Sequence, residues 1–457
     1  MMDILAEMRA LLGDAHVLTG SDAAAFGHEW TGHYHWTPMA VLRPADTDQV
    51  AAIMRLASAA RVPVVPLGGN TGLNGGTMAE GALMLSLARL NAISAVDRAT
   101  RTVRVGAGAV IEAIQAAAEA ADLIFPLSFG AKGSATIGGA LSTNAGGSNV
   151  LRYGSTRALC LGLQVVLADG RVMDLMGALH KDNTGYDLRD LMIGAEGTLG
   201  IITAAVLRLA PRPRAYATAL IGMADLGAAL DLLNGLQAAT GGAVEAFEYM
   251  PARYMARLAA QRPALACPFA PQPVNILIET ATTQTEVDPD ALLTAYLGAA
   301  LEAGQIADAV IAQSESQRKT LWAMREAAAE ITFDRADLVD TDIALPLDHV
   351  AVFLDKMAAA LAQIDPQAEV LEIAHLGDGN IHYTVYPTDP ALKSTIRAAI
   401  AAHACALGGS FSAEHGVGIS KRATMAAHKD PVALSVMRAI KQALDPHNIL
   451  TPDKVLP

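Results

Sequence analysis

Three glycine-rich segments in the first half of the chain constrain its fold more than any other feature of the sequence. The first leaves a strand-like stretch and covers residues 66–76 (PLGGNTGLNGG), the second covers residues 125–147, and the third covers residues 193–201. Glycine tolerates positive φ and the close approach of other atoms, so several backbone N–H groups can converge on an anion. One loop of this kind is often an ordinary surface loop. Three within one domain favour a backbone surface that lines a long, flat, phosphate-bearing cofactor.

Two common nucleotide-binding motifs are absent from the sequence. Gly106 and Gly108 stand between a strand-like and a helix-like segment, as in a dinucleotide-binding fingerprint, but the third glycine position is Ile111. No acidic residue stands out at the expected distance beyond it, and the pattern GxxxxGK[ST] does not occur. We therefore expect no NAD site in this segment.

Composition excludes several classes of protein. The chain has 457 residues, of which 52% are apolar and 17% charged, and its formal net charge is −13. It is too apolar to be disordered and long enough for two or three domains. Its negative charge argues against binding to nucleic acid or to an anionic membrane. No apolar run reaches the roughly 18 residues of a membrane-spanning helix, so we expect no transmembrane segment.

The cysteines and the first residues point to a reducing compartment. Cys160, Cys267 and Cys405 lie far apart and form no CxxC pair, so a disulfide framework, a zinc ribbon or an iron–sulfur cluster has no support. The first segment, MMDILAEMRALLGDAHVL, predicts an amphipathic helix and has the layout of neither a signal peptide nor a transit peptide. The expected location is cytoplasmic.

Local patterns predict an alternation of strands and helices. Residues 46–60 have helical apolar spacing with Asp46 or Thr47 at the N-cap. The run PRPR at residues 211–214 indicates either a linker or an ordinary loop. In the second half, residues 369–387 predict a strand, a turn and a second strand.

A set of histidines and one glutamate suggests a metal site in the second half. His375 and His382 flank the strong turn sequence GDGN, which would bring the two imidazoles together, and Asp378 is assigned to that turn. Glu414 and His415 stand side by side further on. Two histidines and a glutamate leave coordination positions open, as in catalytic Zn²⁺ or Mn²⁺ sites. Such an ion lowers the pKa of a bound hydroxyl group, and His415 would take the proton. The alternative is a set of polar groups satisfied in ordinary turns.

The glycine segments and the His/Glu set together resemble one family, the FAD-dependent D-2-hydroxy acid dehydrogenases of the vanillyl-alcohol-oxidase type. This family includes D-2-hydroxyglutarate and D-lactate dehydrogenases and the glycolate oxidase flavin subunit. The matching motifs are PLGGNTGL, GAKGSATIGG, TNAGG, LRYGS, KDNTGYDL and GAEGTLGIIT. The resemblance implies an α+β fold with a helical lead-in over residues 1–37 and a two-part PCMH-type FAD-binding domain over residues 38–213. A C-terminal FAD-linked oxidase cap domain with a large antiparallel sheet would follow over residues 214–457.

The resemblance also implies where FAD would lie. Some relatives attach the flavin through a histidine in the first loop, but that region carries Asn70 here, so we expect non-covalent FAD. The implied cofactor-binding residues are Pro66, Leu67, Gly68, Gly69, Asn70, Thr71, Gly72, Leu73, Ser128, Gly130, Ala131, Ser134, Ile137, Gly138, Asn144, Gly146, Gly147, Glu196, Gly197, Gly200, Ile201 and Asn448.

The same resemblance assigns roles in the second half of the chain. It makes His375, His382 and Glu414 the ligands of a divalent metal, zinc or manganese, and His415 the catalytic base that also contacts the substrate. Arg325 would bind the substrate carboxylate, for which the planar guanidinium fork is suited.

Three departures from the family pattern bear on the substrate. Relatives that act on hydroxyglutarate place a lysine where this chain has Asp340, a threonine where it has Ala329, and an asparagine where it has Thr384. Asp340 and Thr384 are therefore assigned to the substrate side chain. A distal carboxylate near Asp340 would be repelled, which favours a 2-hydroxy acid with a neutral or cationic side chain.

The sequence thus predicts a FAD- and metal-dependent enzyme that oxidises a D-2-hydroxy acid, D-lactate-like and without a distal carboxylate, to the 2-oxo acid. The alternatives are D-2-hydroxyglutarate as the substrate, a non-redox flavoprotein such as an ether-lipid alkyl-transferase, and a metal-binding protein on the same fold. The alkyl-transferase branch uses a run of adjacent histidines, which this chain lacks. Electrons would leave through an electron-transfer flavoprotein, a quinone or O₂, and a homodimer is an open alternative to a monomer.

Overall fold

The computed structural model describes residues 4–30, 32–335 and 337–457. Residues 1–3 and Thr31 of the predicted lead-in lie outside the described residues. The helices are α1 (Ile4–Leu12), α2 (Ser21–Ala24), α3 (Thr47–Ala60), α4 (Ile111–Glu119), α5 (Ile137–Thr143), α6 (Val150–Tyr153), α7 (Leu188–Met192), α8 (Ala229–Thr240), α9 (Ala252–Gln261), α10 (Pro289–Glu302), α11 (Glu315–Glu326), α12 (Ala328–Thr332), α13 (Val350–Ile364), α14 (Lys393–Ala406), α15 (Arg422–His428) and α16 (Pro431–Leu444).

Short strands dominate the first half and long strands the second. The strands are β1 (Val17–Leu18), β2 (Ala40–Leu42), β3 (Val64–Leu67), β4 (Leu83–Ser86), β5 (Thr102–Gly106), β6 (Leu123–Ile124), β7 (Cys160–Val166), β8 (Val172–Leu175), β9 (Ile201–Arg208), β10 (Ala210–Pro211), β11 (Ala215–Met223), β12 (Val244–Pro251), β13 (Val274–Thr282), β14 (Asp308–Ile311), β15 (Val339–Ala344), β16 (Glu369–His375) and β17 (Asn380–Tyr386).

The chain divides into two compact units that are not continuous in sequence. The first unit contains residues 1–146, 154–211 and 414–457, and the second contains residues 147–153 and 212–413. The last segment is built into the first unit, because Val64 pairs with Leu450 and the N–H of Thr451 donates to the Val64 carbonyl at 2.9 Å. The predicted domain boundaries stay a prediction.

The first unit is built on two four-stranded sheets. In one, β2, β4 and β3 run parallel and β1 closes the edge in the antiparallel direction. In the other, β5, β9, β7 and β8 are all antiparallel. Helix α3 crosses between β2 and β3, and the Asp46 carboxylate caps it by accepting the Gln49 N–H at 2.8 Å. The first glycine segment leaves the carboxyl end of β3.

The second unit contains one seven-stranded antiparallel sheet, with all of its strands inside the described ranges. The strand order is β14-β11-β13-β12-β16-β17-β15. One face packs against α8, α10, α13 and α14 through a large apolar cluster, and the other packs against α9, α11 and α12. This confirms the α+β class and the large antiparallel sheet expected of the cap domain. None of the helices in the described part of the chain combines the length and the apolar character that crossing a bilayer requires.

Replacing Phe353 tests the larger apolar cluster. Phe353 on α13 is fully buried and meets the ring of Tyr383 edge-on, with 5.6 Å between the ring centroids. We expect Phe353→Ala to lower the free energy of unfolding by about 3–5 kcal/mol, because it leaves a cavity. Chemical denaturation measures the change. Val352→Ala on the exposed side of the same helix is the control, and an equal loss in both variants would contradict this assignment.

Candidate active site

The three glycine segments come together within the first unit. A Cβ on Gly69 would lie 2.1 Å from the Ser134 carbonyl oxygen, so the first and second segments touch through their backbones. A Cβ on Gly197 would lie 2.7 Å from Cγ of Pro66, which brings the third segment against the first. Both distances are too short for any side chain. Glycine is required at both positions, because the Ser134 carbonyl and the Pro66 ring leave no room for a Cβ.

The polar groups around these segments fit a large cofactor bound mainly by backbone. The buried Thr136 hydroxyl group has no hydrogen-bond partner among the described residues, and it precedes α5 beside Gly68. In contrast, the side chains of Asn70 and Asn144 are already engaged. Asn70 bonds to the Thr77 hydroxyl group and the His28 carbonyl, and Asn144 accepts the Arg157 N–H. The predicted FAD residues all lie in the first unit except Gly147.

The segment Glu414–Gly418, which we call the His415 loop, belongs to the first unit. The Glu196 carboxylate accepts the N–H groups of Val417 at 2.7 Å and Gly418 at 2.9 Å. Burial raises the pKa of Glu196, although these donors and the charge of Lys421 act in the opposite direction. The side chain of Glu196, predicted to contact FAD, is thus used to hold a loop.

In the second unit, strand pairing places three predicted residues and one further carboxylate, Asp342, on one face of the sheet. Asp342 is paired with His382 and Asp340 with Thr384. Directly paired residues and residues two apart share a face of a sheet, so these four side chains do as well. The GDGN turn reverses the chain as expected, and the rings of His375 and His382 lie with their centroids 5.5 Å apart.

One buried carboxylate organises the predicted metal ligand and the predicted substrate-binding arginine. Glu248 on β12 accepts the Nε–H of Arg325 at 2.9 Å and lies 2.8 Å from Nδ1 of His375. Because Nδ1 donates to the carboxylate, the imidazole presents Nε2 as its acceptor or ligand atom. The terminal Nη2 of Arg325 is 3.5 Å from this Nε2.

The charge state of Glu248 follows from these contacts. Burial by itself would raise the pKa of the Glu248 carboxyl group, but the charges and hydrogen bonds of His375 and Arg325 outweigh burial and lower it. The group is therefore ionised at neutral pH, and it fixes the orientation of both partners.

Asp340 lies at the far end of this face and has defined partners of its own. Its carboxylate accepts the Thr384 hydroxyl group at 2.9 Å, and its backbone carbonyl accepts an N–H from Arg397 at 3.1 Å. Two of the three residues that depart from the family pattern, Asp340 and Thr384, thus form a bonded pair.

Sequence reasoning missed Glu248, Asp342 and Asn380. Asn380 donates to Asp342 at 2.9 Å, and both side chains are buried. A signal was present for Glu248, since a carboxylate in a strand rich in apolar residues is rarely buried without a partner. Glu414 and His415 lie in the first unit, whereas His375, His382 and Arg325 lie in the second.

Comparisons with known proteins identify the family of both parts of the chain. Residues 38–176 match the FAD binding domain, and residues 212–455 match the C-terminal domain of the FAD linked oxidases. The chain is 38% identical to D-2-hydroxyglutarate dehydrogenase, mitochondrial, of Bos taurus over 94% of this chain and 79% of that protein. It is 36% identical to the D-2-hydroxyglutarate dehydrogenase of Xanthomonas citri pv. viticola over 95% and 93% of the two chains.

Solved structures show the same fold at low sequence identity. A p-cresol methylhydroxylase with bound substrate superposes with a TM-score of 0.76 at 17% identity, over 99% of this chain and 96% of the other. The relatives' names favour D-2-hydroxyglutarate, the alternative substrate, over the acid without a distal carboxylate that the sequence analysis put first. The chain binds FAD and belongs to the FAD-linked oxidases, and within them to the FAD-dependent D-2-hydroxy acid dehydrogenases, which are oxidoreductases acting on CH–OH groups.

Proposed function

We propose that this chain oxidises D-2-hydroxyglutarate to the 2-oxo acid. The observation that carries the proposal is the buried Glu248 group, which holds a histidine and an arginine side by side on one sheet face. The names of relatives with 36–38% identity supply the substrate. A second substrate class is considered below because of Asp340.

FAD would be bound without a covalent link, by backbone groups of the three glycine segments. When bound, FAD supplies the acceptor for the hydride that leaves the substrate α-carbon. The Asn70 side chain bonds to Thr77 and to the His28 carbonyl, and an amide is no attachment point for flavin. Since these loops pack backbone on backbone, the chain contributes a rigid, water-excluding surface more than specific side-chain contacts.

We propose His375, His382 and Glu414 as ligands of a divalent cation, Zn²⁺ or Mn²⁺. The donor set fits such an ion, because two imidazoles and a carboxylate are borderline ligands that leave open positions. When bound, the ion would polarise the oxygens of the substrate. Glu248 would not bind the ion itself, but it would fix the tautomer and the orientation of His375.

Arg325 and His415 would handle the substrate itself. The Glu248 carboxylate accepts the Nε–H of Arg325, so the terminal nitrogens of the guanidinium group would bind the substrate carboxylate. His415 accepts the hydroxyl proton as the α-hydride departs. The substrate loses one hydride and one proton, which balances the change from alcohol to ketone.

Asp340 favours a second candidate substrate, a D-2-hydroxy acid without a distal carboxylate. Its carboxylate lies on the same sheet face as His382 and is bonded to Thr384. A substrate carboxylate placed beside it would be repelled. The electron acceptor, a homodimer and the cytoplasmic location stay predictions.

Anaerobic mixing with a panel of acids tests the proposed reaction. We expect D-2-hydroxyglutarate to bleach the flavin band at about 450 nm faster than D-lactate, D-malate or any L-form. The expected advantage is about 10- to 100-fold, which corresponds to a charged hydrogen bond of about 1.5–3 kcal/mol to the distal carboxylate from a donor other than Asp340.

Faster bleaching by D-lactate would favour the second candidate. In that case Asp340→Lys should raise the rate with D-2-hydroxyglutarate relative to D-lactate, and Asp340→Asn should raise it less. A flavin band that no acid bleaches would contradict both candidates.

Glu248→Gln tests the support of the metal ligand. Loss of the charge frees the orientation of His375, and we expect metal affinity to fall about 10- to 100-fold. Competition with a chelator measures the affinity. Glu245→Gln is the matched control, since Glu245 is buried on the same strand but bonds to Arg152 and Tyr153. Equal losses of affinity in the two variants would contradict the proposed role.

Gly69→Ala tests the cofactor surface. The new Cβ would collide with the Ser134 carbonyl and force two glycine segments apart. We expect the purified variant to carry less than about a tenth of the wild-type FAD, because overpacking costs about 1–3 kcal/mol at the contact. Absorbance of the released flavin measures the content. Gly177→Ala, at a position with open space around it, should retain FAD.

A further inference from the structure

We propose that Asn74 and Glu196 are positioning residues for His415, and that they do so by clamping the backbone of the His415 loop. The inference rests on the proposed function only in taking His415 as the base. Both residues lie in glycine segments assigned above to FAD, and the loop, Asn74 and Glu196 all belong to the first unit.

Glu196 holds the loop just after His415. Both of its carboxylate oxygens are used, one by the Val417 N–H and the other by the Gly418 N–H. Gly416 packs directly on this carboxylate, since a Cβ there would lie 2.8 Å from the carboxyl carbon, and its φ is +74°. A side chain at position 416 would lift the loop off its support.

Asn74 holds the loop at His415 itself. Its side-chain N–H₂ group donates to the carbonyls of His415 and Gly416, both at 2.9 Å. Its backbone carbonyl accepts the Ile419 N–H at 2.8 Å, and its side-chain oxygen accepts the Ser420 hydroxyl group at 2.8 Å. Asn74 therefore bonds to the chain on both sides of the Glu196 contact.

The two residues use complementary chemistry. The carboxylate accepts backbone N–H groups and the amide donates to backbone carbonyls, so neither residue can replace the other. Together they fix the peptide groups on which the His415 side chain is built, leaving only its two side-chain torsions to adjust. The reach of the proposed base would then be set by the same glycine segments that are assigned to the flavin.

Two variants test the clamp by a readout that does not depend on turnover. Glu196→Gln can accept one N–H with its oxygen but turns an N–H₂ group toward the other donor, and Asn74→Ala removes both donors. In the FAD-loaded enzyme, we expect amide exchange in peptides covering residues 414–420 to rise about 10-fold, the equivalent of one or two hydrogen bonds. Hydrogen–deuterium exchange with mass spectrometry measures it.

The second readout is the rate of flavin reduction at saturating FAD and substrate. We expect it to fall about 10- to 100-fold, part of what a general base contributes, while KM for the acid changes little. Asp365→Asn is the matched control, because the buried Asp365 carboxylate also accepts a backbone N–H and a hydroxyl group, both from Thr388 in the second unit. It should leave both readouts unchanged.

The outcomes separate the clamp from the proposed reaction. Unchanged exchange over residues 414–420, an unchanged reduction rate in a working enzyme, or the same loss of rate in the control would overturn the clamp. A wild-type flavin that no acid reduces would count against the proposed reaction, and the exchange data would still decide whether Asn74 and Glu196 hold the loop.

Discussion

The buried Glu248 carboxylate determines how the polar face of the second unit is arranged. A carboxylate with 1% exposure is costly unless its charge is matched, and Arg325 and His375 match it from two different elements. Each partner also depends on the carboxylate. Removing one member of a buried ion pair lowers the free energy of unfolding by about 3–5 kcal/mol, because the other charge stays buried and unmatched. The group is therefore a three-way junction between β12, β16 and α11. Any residue that relies on the orientation of His375 or Arg325 relies on Glu248 first.

In the first unit, close contact at the glycine positions determines the arrangement, as the Glu248 carboxylate does in the second. Glycine segments from three parts of the sequence are packed so tightly that a single methyl group would force them apart. The side chains at these segments, such as Asn70 and Glu196, are spent on neighbouring loops. The unit thus presents peptide groups in fixed positions, which suits a cofactor with phosphates and flat rings. It also links those peptide groups mechanically to the His415 loop.

Much of this organisation was readable from the sequence, and the limits have physical causes. The glycine segments, the GDGN turn between two strands and the helix capped by Asp46 are local signals, and each has its counterpart in the structure. The roles of Glu248 and Asn74 are not local. They depend on partners 77–127 and 341–342 positions away, which no spacing rule reveals without an established strand register. Prediction of the substrate was limited for another reason. The reversal of charge at Asp340 argued against a distal carboxylate, whereas the rest of the chain resembled hydroxyglutarate enzymes.

The division of the chain has a consequence for how this protein is made. Strand β3 of the first unit pairs with Leu450, but the ribosome completes all of residues 212–413 before that partner exists. During synthesis the first unit, which holds the glycine segments, has one edge of its parallel sheet unpaired until the last segment is made. Residues 147–153, which belong to the second unit, are synthesised well before the rest of that unit. Domains usually fold as they emerge, so a nascent chain of this kind would present an unfinished apolar edge for many seconds. Yield in the cell should then depend on chaperones and on the speed of translation through the second unit.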